Sequence, residues 1–321
     1  MTSLRSSSER SEAARRAPGA DVGPGIRVGV DIGGTKAEAV AISPDGVVIA
    51  SAWRATAHGP SGVLDTVSGV IRDLPVAADA IGIGIPGQIA HGVVRNAVNL
   101  GVEELDLGAA LAAELGVPVR VENDVNAAAL GAWALRGPQT GPLAYLNLGT
   151  GVAAGLVVDG RVWSGSGGVA GEVGHVSIDP AGPECPCGQR GCIETLAGGA
   201  SIARRWGRGG EHPVRSLFAA ADDGDPDALA LRSDLARGVA AAVRVLVLTV
   251  DPSVVVIGGG LSRLGERLLS AVRIELAASA SSSPFLTSLR LEDRIEVLPH
   301  HAPGGAAAGA LGAALAAAPA R

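Results

Sequence analysis

The sequence predicts an α/β protein of two domains, each opening on a strand–turn–strand unit. Ile26–Ile32 is an apolar, β-rich run that closes on a glycine pair, and Ala37–Ser43 and Val47–Ala52 follow it with Pro44-Asp45-Gly46 as the turn between them. The same order returns near residue 142, where Leu143–Leu148 and Val152–Val158 flank Gly149-Thr150-Gly151 and Asp159-Gly160 signals the next hairpin. A length of 321 residues is more often two domains than one.

Between the two meanders, helical periodicity covers Ser61–Asp73 and Asp106–Leu115, and strand-like runs cover Ala80–Ile85 and Val117–Val121. An Ala-rich helix follows at Asn126–Leu135. Beyond the second meander, long helical patterns at Asp227–Thr249 and Ser262–Ala277 enclose the strand Ser253–Ile257, and Ala302–Ala318 forms a last Ala-rich helix. The expected organisation is a polar tail over 1–25, a small α/β lobe over 26–122 with helix 302–318 packed back on it, and a large α/β lobe over 123–301. The tail is mixed in charge and lacks apolar periodicity, so it is expected to be disordered.

Apolar residues make up 47% and charged residues 18%, which suits a packed globule. A net charge of −6 gives no basic footprint for nucleic acid and no attraction to an anionic membrane. The tail has no apolar h-region, and runs such as Val239–Val250 are too short to span a bilayer. A soluble, cytoplasmic protein with small-molecule partners is expected.

Asp31-Ile32-Gly33-Gly34-Thr35-Lys36 ends a buried strand with a carboxylate, two glycines, a hydroxyl and a cation, a set that suits MgATP. Glycine admits phosphate oxygens to backbone N–H groups, Thr35 and Lys36 can donate to them, and Asp31 can hold a hydrated Mg²⁺. Taken alone, the motif also fits an ordinary glycine hairpin with a surface lysine. Gly149-Thr150-Gly151 offers a second phosphate clamp, and Gly258-Gly259-Gly260 after the strand Ser253–Ile257 opens a helix suited to the nucleotide. Gly82-Ile83-Gly84-Ile85-Pro86-Gly87 formally matches a dinucleotide fingerprint, but Pro86 and a polar turn stand where a helix should open.

Asn123 and Asp124 stand where an apolar strand hands over to a helix, a place where α/β folds expose reactive groups and where Asn and Asp also serve as helix caps. Glu172, in Gly171-Glu172-Val173-Gly174-His175, and Glu194 are carboxylates of the kind that grips vicinal sugar hydroxyls, though either alone also reads as a solvated surface group. Three cysteines, Cys185, Cys187 and Cys192, follow His175 by ten to seventeen residues. These four N/S ligands fit a closed tetrahedral structural zinc site that staples the loop over 175–192 and fixes Glu172 and Glu194.

Together DIGGTK at 31–36, VENDVNAAALG at 121–131, LGTGVAAG at 148–155, GEVGH at 171–175, CxCGxxGCxE at 185–194 and IGGG at 257–260 resemble the ROK family of repressors, open reading frames and kinases. The resemblance covers about residues 26–318. It implies a two-lobed, actin-like ATPase (ribonuclease-H-like) sugar-kinase fold with a ligand cleft between the lobes, and glucokinase-like transfer of phosphate from ATP to a hexose 6-hydroxyl. It further implies Asp124 as general base, Asn123, Glu172, His175 and Glu194 on other hydroxyls, Gly87 and Asn99 close to the sugar, and a homodimer. Ala97-Val98-Asn99-Leu100-Gly101 departs from many family glucokinases, which carry Pro before the Asn, so N-acetylglucosamine, N-acetylmannosamine or another hexose stays open as the acceptor. A sugar-responsive repressor would place a DNA-binding module before DIGGTK, where 30 residues stand, and a silent sensor would not need every catalytic position filled.

Overall fold

The structure, a computed structural model, describes residues 25–137, 140–297 and 308–317. Apart from Gly25, the expected tail lies outside the described residues, as do both ends of the helix expected over 302–318.

In chain order the elements are β1 (Arg27–Ile32), β2 (Lys36–Ile42), β3 (Val48–Ala55), α1 (Gly59–Arg72), β4 (Ala80–Ile85), β5 (Gln88–Ala90), β6 (Val93–Ala97), β7 (Val102–Asp106), α2 (Leu107–Leu115), β8 (Val119–Asn123) and α3 (Asp124–Arg136). There follow β9 (Leu143–Leu148), β10 (Val152–Val158), β11 (Arg161–Val162), α4 (Ile193–Ala197), α5 (Gly199–Trp206), α6 (Pro213–Asp222) and α7 (Pro226–Val250). Last come β12 (Val254–Gly258), α8 (Glu266–Ala280), α9 (Pro284–Ser288), β13 (Ile295–Val297) and α10 (Ala308–Ala316).

The chain divides into two compact units, the first of Met1–Gln139, Val157–Gly168 and Pro299–Arg321, the second of Thr140–Leu156 and Val169–Leu298. In the first unit a sheet of order β3-β2-β1-β4-β8 pairs β1 antiparallel with β2 and parallel with β4. Strand alternation sorts β1 by size: Val28, Val30 and Ile32 are fully buried in the cluster that holds Val63, Val67 and Val70 of α1, because successive side chains leave opposite faces. The other face carries Arg27, Gly29 and Asp31 and receives α10. Where α10 crosses β1 and β4 the sheet presents Gly29 and Gly82. A Cβ added at Gly29 would stand 2.8 Å from Ala314 Cα, and one at Gly82 would stand 2.7 Å from Ala313 C, inside any carbon–carbon contact. Gly312 of α10 meets α3 in the same way, 2.6 Å from Ala127 C. Gly82, the first glycine of the apparent dinucleotide motif, thus admits a helix backbone and not a pyrophosphate, and a Cβ added at Gly84 would stand 3.1 Å from Ala127 Cβ.

The boundary expected at 122/123 would separate β8 from α3. Because α3 packs against α10 within the first unit, the division falls between Gln139 and Thr140 instead. The hairpin tip at β11 also counts with the first unit, since Gly160 packs on α3 so closely that a Cβ added there would stand 3.0 Å from the Trp133 ring. A three-stranded sheet, β5-β6-β7, completes this unit.

The second sheet has the order β11-β10-β9-β12-β13, which repeats the first element for element, with β9 parallel to β12 and β12 parallel to β13. Its core joins Leu146, Leu148, Val255 and Ile257 of the strands to Leu235, Val239, Val243 and Leu246 on one face of α7. Asp225 caps α7, its carboxylate accepting N–H groups from Asp227 and Ala228 at 3.0 Å each.

Candidate functional site

The turn between β1 and β2 is closed by Gly33 N–H donating to Lys36 O at 2.9 Å and braced by Thr56 Oγ1 donating to Gly33 O at 2.8 Å. Gly33, Thr35 and Lys36 are exposed, and a Cβ at Gly34 would stand 3.6 Å from Asn99 O, so the 3₁₀ turn Val98–Leu100 brings Asn99 beside this loop. Lys36 Nζ lies 2.6 Å from Glu38 Oε2 and 6.0 Å over the Trp53 ring, so Glu38 holds the cation that the sequence assigns to phosphate.

Asp31 is enclosed. Gly309 of α10 passes so close that a Cβ there would stand 3.0 Å from Asp31 Oδ1, and a Cβ added at Gly84 would stand 3.7 Å from Asp31 Oδ1 and 3.6 Å from Asp124 Cα. The residue as a whole is half-buried but its carboxyl is deep, and burial first, then the charges of Asp124 and Glu38, push it up to about 7. Clustered hard oxygen donors that resist ionising beside one another fit a divalent cation such as Mg²⁺.

Asn123 is the N-cap of α3: its Oδ1 accepts from Val125 N at 2.9 Å and Asn126 N at 3.2 Å, while its Nδ2 donates to Gly87 O at 3.2 Å. Glu122 locks the junction from behind, its Oε1 accepting from Asn123 N and Asn126 Nδ2 at 3.0 Å each. Capping therefore falls to Asn123, and Asp124 is the first residue of the helix, where the dipole favours a carboxylate. Neither Glu122 nor Asn126 is a candidate in the sequence reading; the spacing of four residues across a strand–helix junction is the signal that pairs them.

In the second unit, the turn Gly149-Thr150-Gly151 closes with Gly149 N donating to Gly151 O at 3.1 Å. Its carbonyls are taken at the start of α5, by Gly199 N on Gly149 O at 2.9 Å and Ala200 N on Thr150 O at 3.0 Å. Gly258 fits over Tyr145, 2.4 Å from ring Cε2 in the added-Cβ sense, and Gly259 takes φ +78° beside Asn147 Oδ1. Here the expected helix at Ser262–Ala277 is corrected: Gly260 opens a 3₁₀ turn, Gly260–Leu264, and α8 begins only at Glu266 after Gly265 at φ +56°. Asn147, which sequence reasoning passes over, lies between the two glycine turns, its Nδ2 3.4 Å from the Cβ position of Gly149.

The segment 171–175 lies flat on β10. Added Cβ atoms at Gly171 and Gly174 would stand 2.8 Å from Ala154 C and 2.9 Å from Val152 C, so both must be glycine, and Glu172 is carried between them. Next to it, one ligand atom each from His175, Cys185, Cys187 and Cys192 lie within 4.8 Å of one another. Cys187 Sγ and Cys192 Sγ are 3.7 Å apart, against about 3.8 Å for two thiolates on one tetrahedral zinc at ~2.3 Å, and Cys185 Sγ is 3.9 Å from His175 Nδ1. Backbone and side-chain N–H groups of Gln189 bring Cys187 down to about 6, whereas burial pushes Cys192 up to about 12 and raises Cys185. With Nδ1 turned to the sulfurs, His175 keeps Nε2 for another partner. The donor set and spacing fit a Cys₃His zinc site.

Two sheets of one order, each with a glycine turn between its first two strands, define the actin-like, two-lobed class of sugar-kinase folds. Within that class the chain belongs to the ROK family, whose model matches residues 27–319. It is 35% identical over 271 residues to a glucokinase of Thermotoga maritima, covering 77% of this chain and 85% of that one. It is 34% identical over 255 residues to an N-acetylmannosamine kinase of Escherichia coli, covering 77% and 87%. A ROK family glucokinase from Streptomyces griseus, solved with glucose and AMPPNP, superposes with a TM-score of 0.73 at 30% identity over 91% of this chain and 99% of that one.

Proposed function

We propose that the chain transfers the γ-phosphate of ATP to the 6-hydroxyl of a hexose. It is an ATP-dependent sugar kinase; the acceptor position and the residue roles are our reading. The observation that carries it is the junction of β8 and α3, where Asn123 and Glu122 hold Asp124 at a helix start beside the same glycine that faces Asp31. Asp124 takes the proton of the 6-hydroxyl as its oxygen bonds to the γ-phosphorus and the bridging oxygen leaves with ADP. Asp31 holds Mg²⁺, which neutralises phosphate charge, while the turns at 33–36, 149–151 and 258–260 hold the phosphates and nucleoside. Asn99, Asn123, Glu172, His175 Nε2 and Glu194 bind the remaining hydroxyls, with the Gly87 backbone close by. His175, Cys185, Cys187 and Cys192 hold a structural zinc that fixes the loop carrying Glu172 and Glu194. We further infer a cytoplasmic homodimer; no helix of the described residues is long and apolar enough to cross a membrane, and light scattering of the purified protein tests the dimer.

The N-acetylmannosamine kinase relative supports a second acceptor class, the N-acetylhexosamines. ADP release from MgATP against glucose, mannose, N-acetylglucosamine and N-acetylmannosamine, with Asp124→Ala in parallel, decides. Turnover with one sugar that vanishes in the variant is expected. Sugar binding without any turnover would overturn the kinase in favour of a sensor.

A further inference from the structure

Glu194 is expected to bind sugar, yet its carboxylate is built into the other substrate's loop. Oε2 accepts the Val152 N–H at 2.9 Å, at the point where the Gly149-Thr150-Gly151 turn enters β10. The side chain threads a slot between two glycines: a Cβ at Gly151 would stand 3.1 Å from Glu194 Cδ and overlap Oε2, and one at Gly198 would stand 2.9 Å from Glu194 Cγ and 3.2 Å from Thr150 O. Gly151 is therefore glycine because Glu194 is there. The root of the side chain is equally fixed. Ile193 N donates to Val176 O at 3.0 Å, Ser177 bridges Cys192, and Thr195 Oγ1 donates to Cys192 O at 2.7 Å, so Glu194 projects from the backbone of the cysteine cluster.

We infer that Glu194 is a positioning residue for the phosphate turn, and that it couples sugar and nucleotide binding by giving one oxygen to Val152 N–H and the other to a sugar hydroxyl. The inference rests on the sugar-kinase reading above. When a sugar hydroxyl holds Oε1, the carboxylate loses rotational freedom and Oε2 is kept on the turn, so the turn is ordered before nucleotide arrives. Such coupling is reciprocal: nucleotide tightens sugar by the factor with which sugar tightens nucleotide.

The test uses full-length protein with its zinc content measured, in wild-type, Glu194→Ala and Glu194→Gln forms. AMPPNP is titrated with and without saturating sugar, and amide exchange at Val152 is followed without ligands. In the wild type, sugar should tighten AMPPNP by about fivefold or more. The alanine form should exchange Val152 faster, bind AMPPNP about tenfold more weakly and lose the coupling, whereas glutamine, whose carbonyl still accepts the Val152 N–H, should restore exchange protection and most nucleotide affinity. Unchanged Val152 protection in the alanine form, or unchanged coupling despite lost protection, overturns the inference. Failure of the sugar-kinase reading shows separately, as a wild type that binds neither ligand, and the exchange data still decide whether Glu194 holds the turn.

Discussion

Replacing Gly82 by alanine places a methyl group where α10 lies against the first sheet. The added carbon would stand 2.7 Å from Ala313 C and 3.2 Å from Ala317 N, both backbone atoms that cannot turn aside as a side chain does. It would also overlap Ala313 O outright, and since non-bonded contacts settle at ~3.5 Å the helix must retreat by upwards of about 1 Å, a gap that costs about half or more of each dispersion contact across the interface. That interface carries the buried residues Ala308 to Leu315. Overpacking of this kind costs about 1–3 kcal/mol, and the rigid backbone on both sides puts Gly82→Ala near the upper end. For 321 residues, at about 2.1 cal/mol/K of unfolding entropy per residue, that lowers Tm by roughly 4–5 °C. Calorimetry and urea titration measure it, with Gly167→Ala as control, because a Cβ at Gly167 meets nothing within 4 Å. A Gly82→Ala protein within about 0.5 kcal/mol of wild type would refute the claim that this glycine serves helix packing.

Asp124→Ala should lower kcat by about 10²–10⁴ with far less change in either KM, as removal of a general base does, and a proportionate loss in KM instead would move Asp124 to a binding role. Asp31, held at about 7 against 3.8 unfolded, opposes folding where it must ionise. Its cost is absent below about pH 4 and grows as pH rises through 7, so in magnesium-free buffer Asp31→Asn should gain up to ~4 kcal/mol at pH 8 and almost nothing at pH 4, while losing turnover. Equal gains at both pH values would contradict the assignment. Metal analysis should find one zinc per chain, and its removal by a chelator should raise the sugar KM by about tenfold or more; full activity in stripped protein would end the structural role given to the cluster.

Strands with strong apolar runs, such as Ala80–Ile85, Leu143–Leu148 and Val152–Val158, are legible to the residue, because burial on both faces leaves them almost wholly apolar, with Asn147 the one strongly polar side chain inside them. The small sheet β5-β6-β7 is not: its strands are short, and β6 contains Arg95 and Asn96, the latter at φ +55°, with no alternation to read. The helix after Gly258-Gly259-Gly260 is displaced because Gly265 at φ +56° breaks a pattern that periodicity alone would run through. Among candidate site residues, the cysteine cluster is legible since its ligands lie within one loop. Asn147 and Glu122 are not, because their importance comes from neighbours brought by other strands and turns: Gly149 and Gly259 in one case, Asn126 in the other. Lys36 illustrates the reverse, a residue with an apt chemical type whose nearest acceptor, Glu38, lies two positions along its own strand.

The contact of α10 with β1 also orders events during synthesis. The sheet that begins at Arg27 lacks the cover for Gly29, Asp31 and Gly82 until Ala308–Ala316 has been made, whereas the second unit draws only on residues before 299. At roughly 5–20 residues per second, the first sheet waits on the order of ten to thirty seconds beyond α3. The unit encoded first is thus the one completed last, and the bare glycine face is the surface that a nascent chain must keep from other partners in that interval.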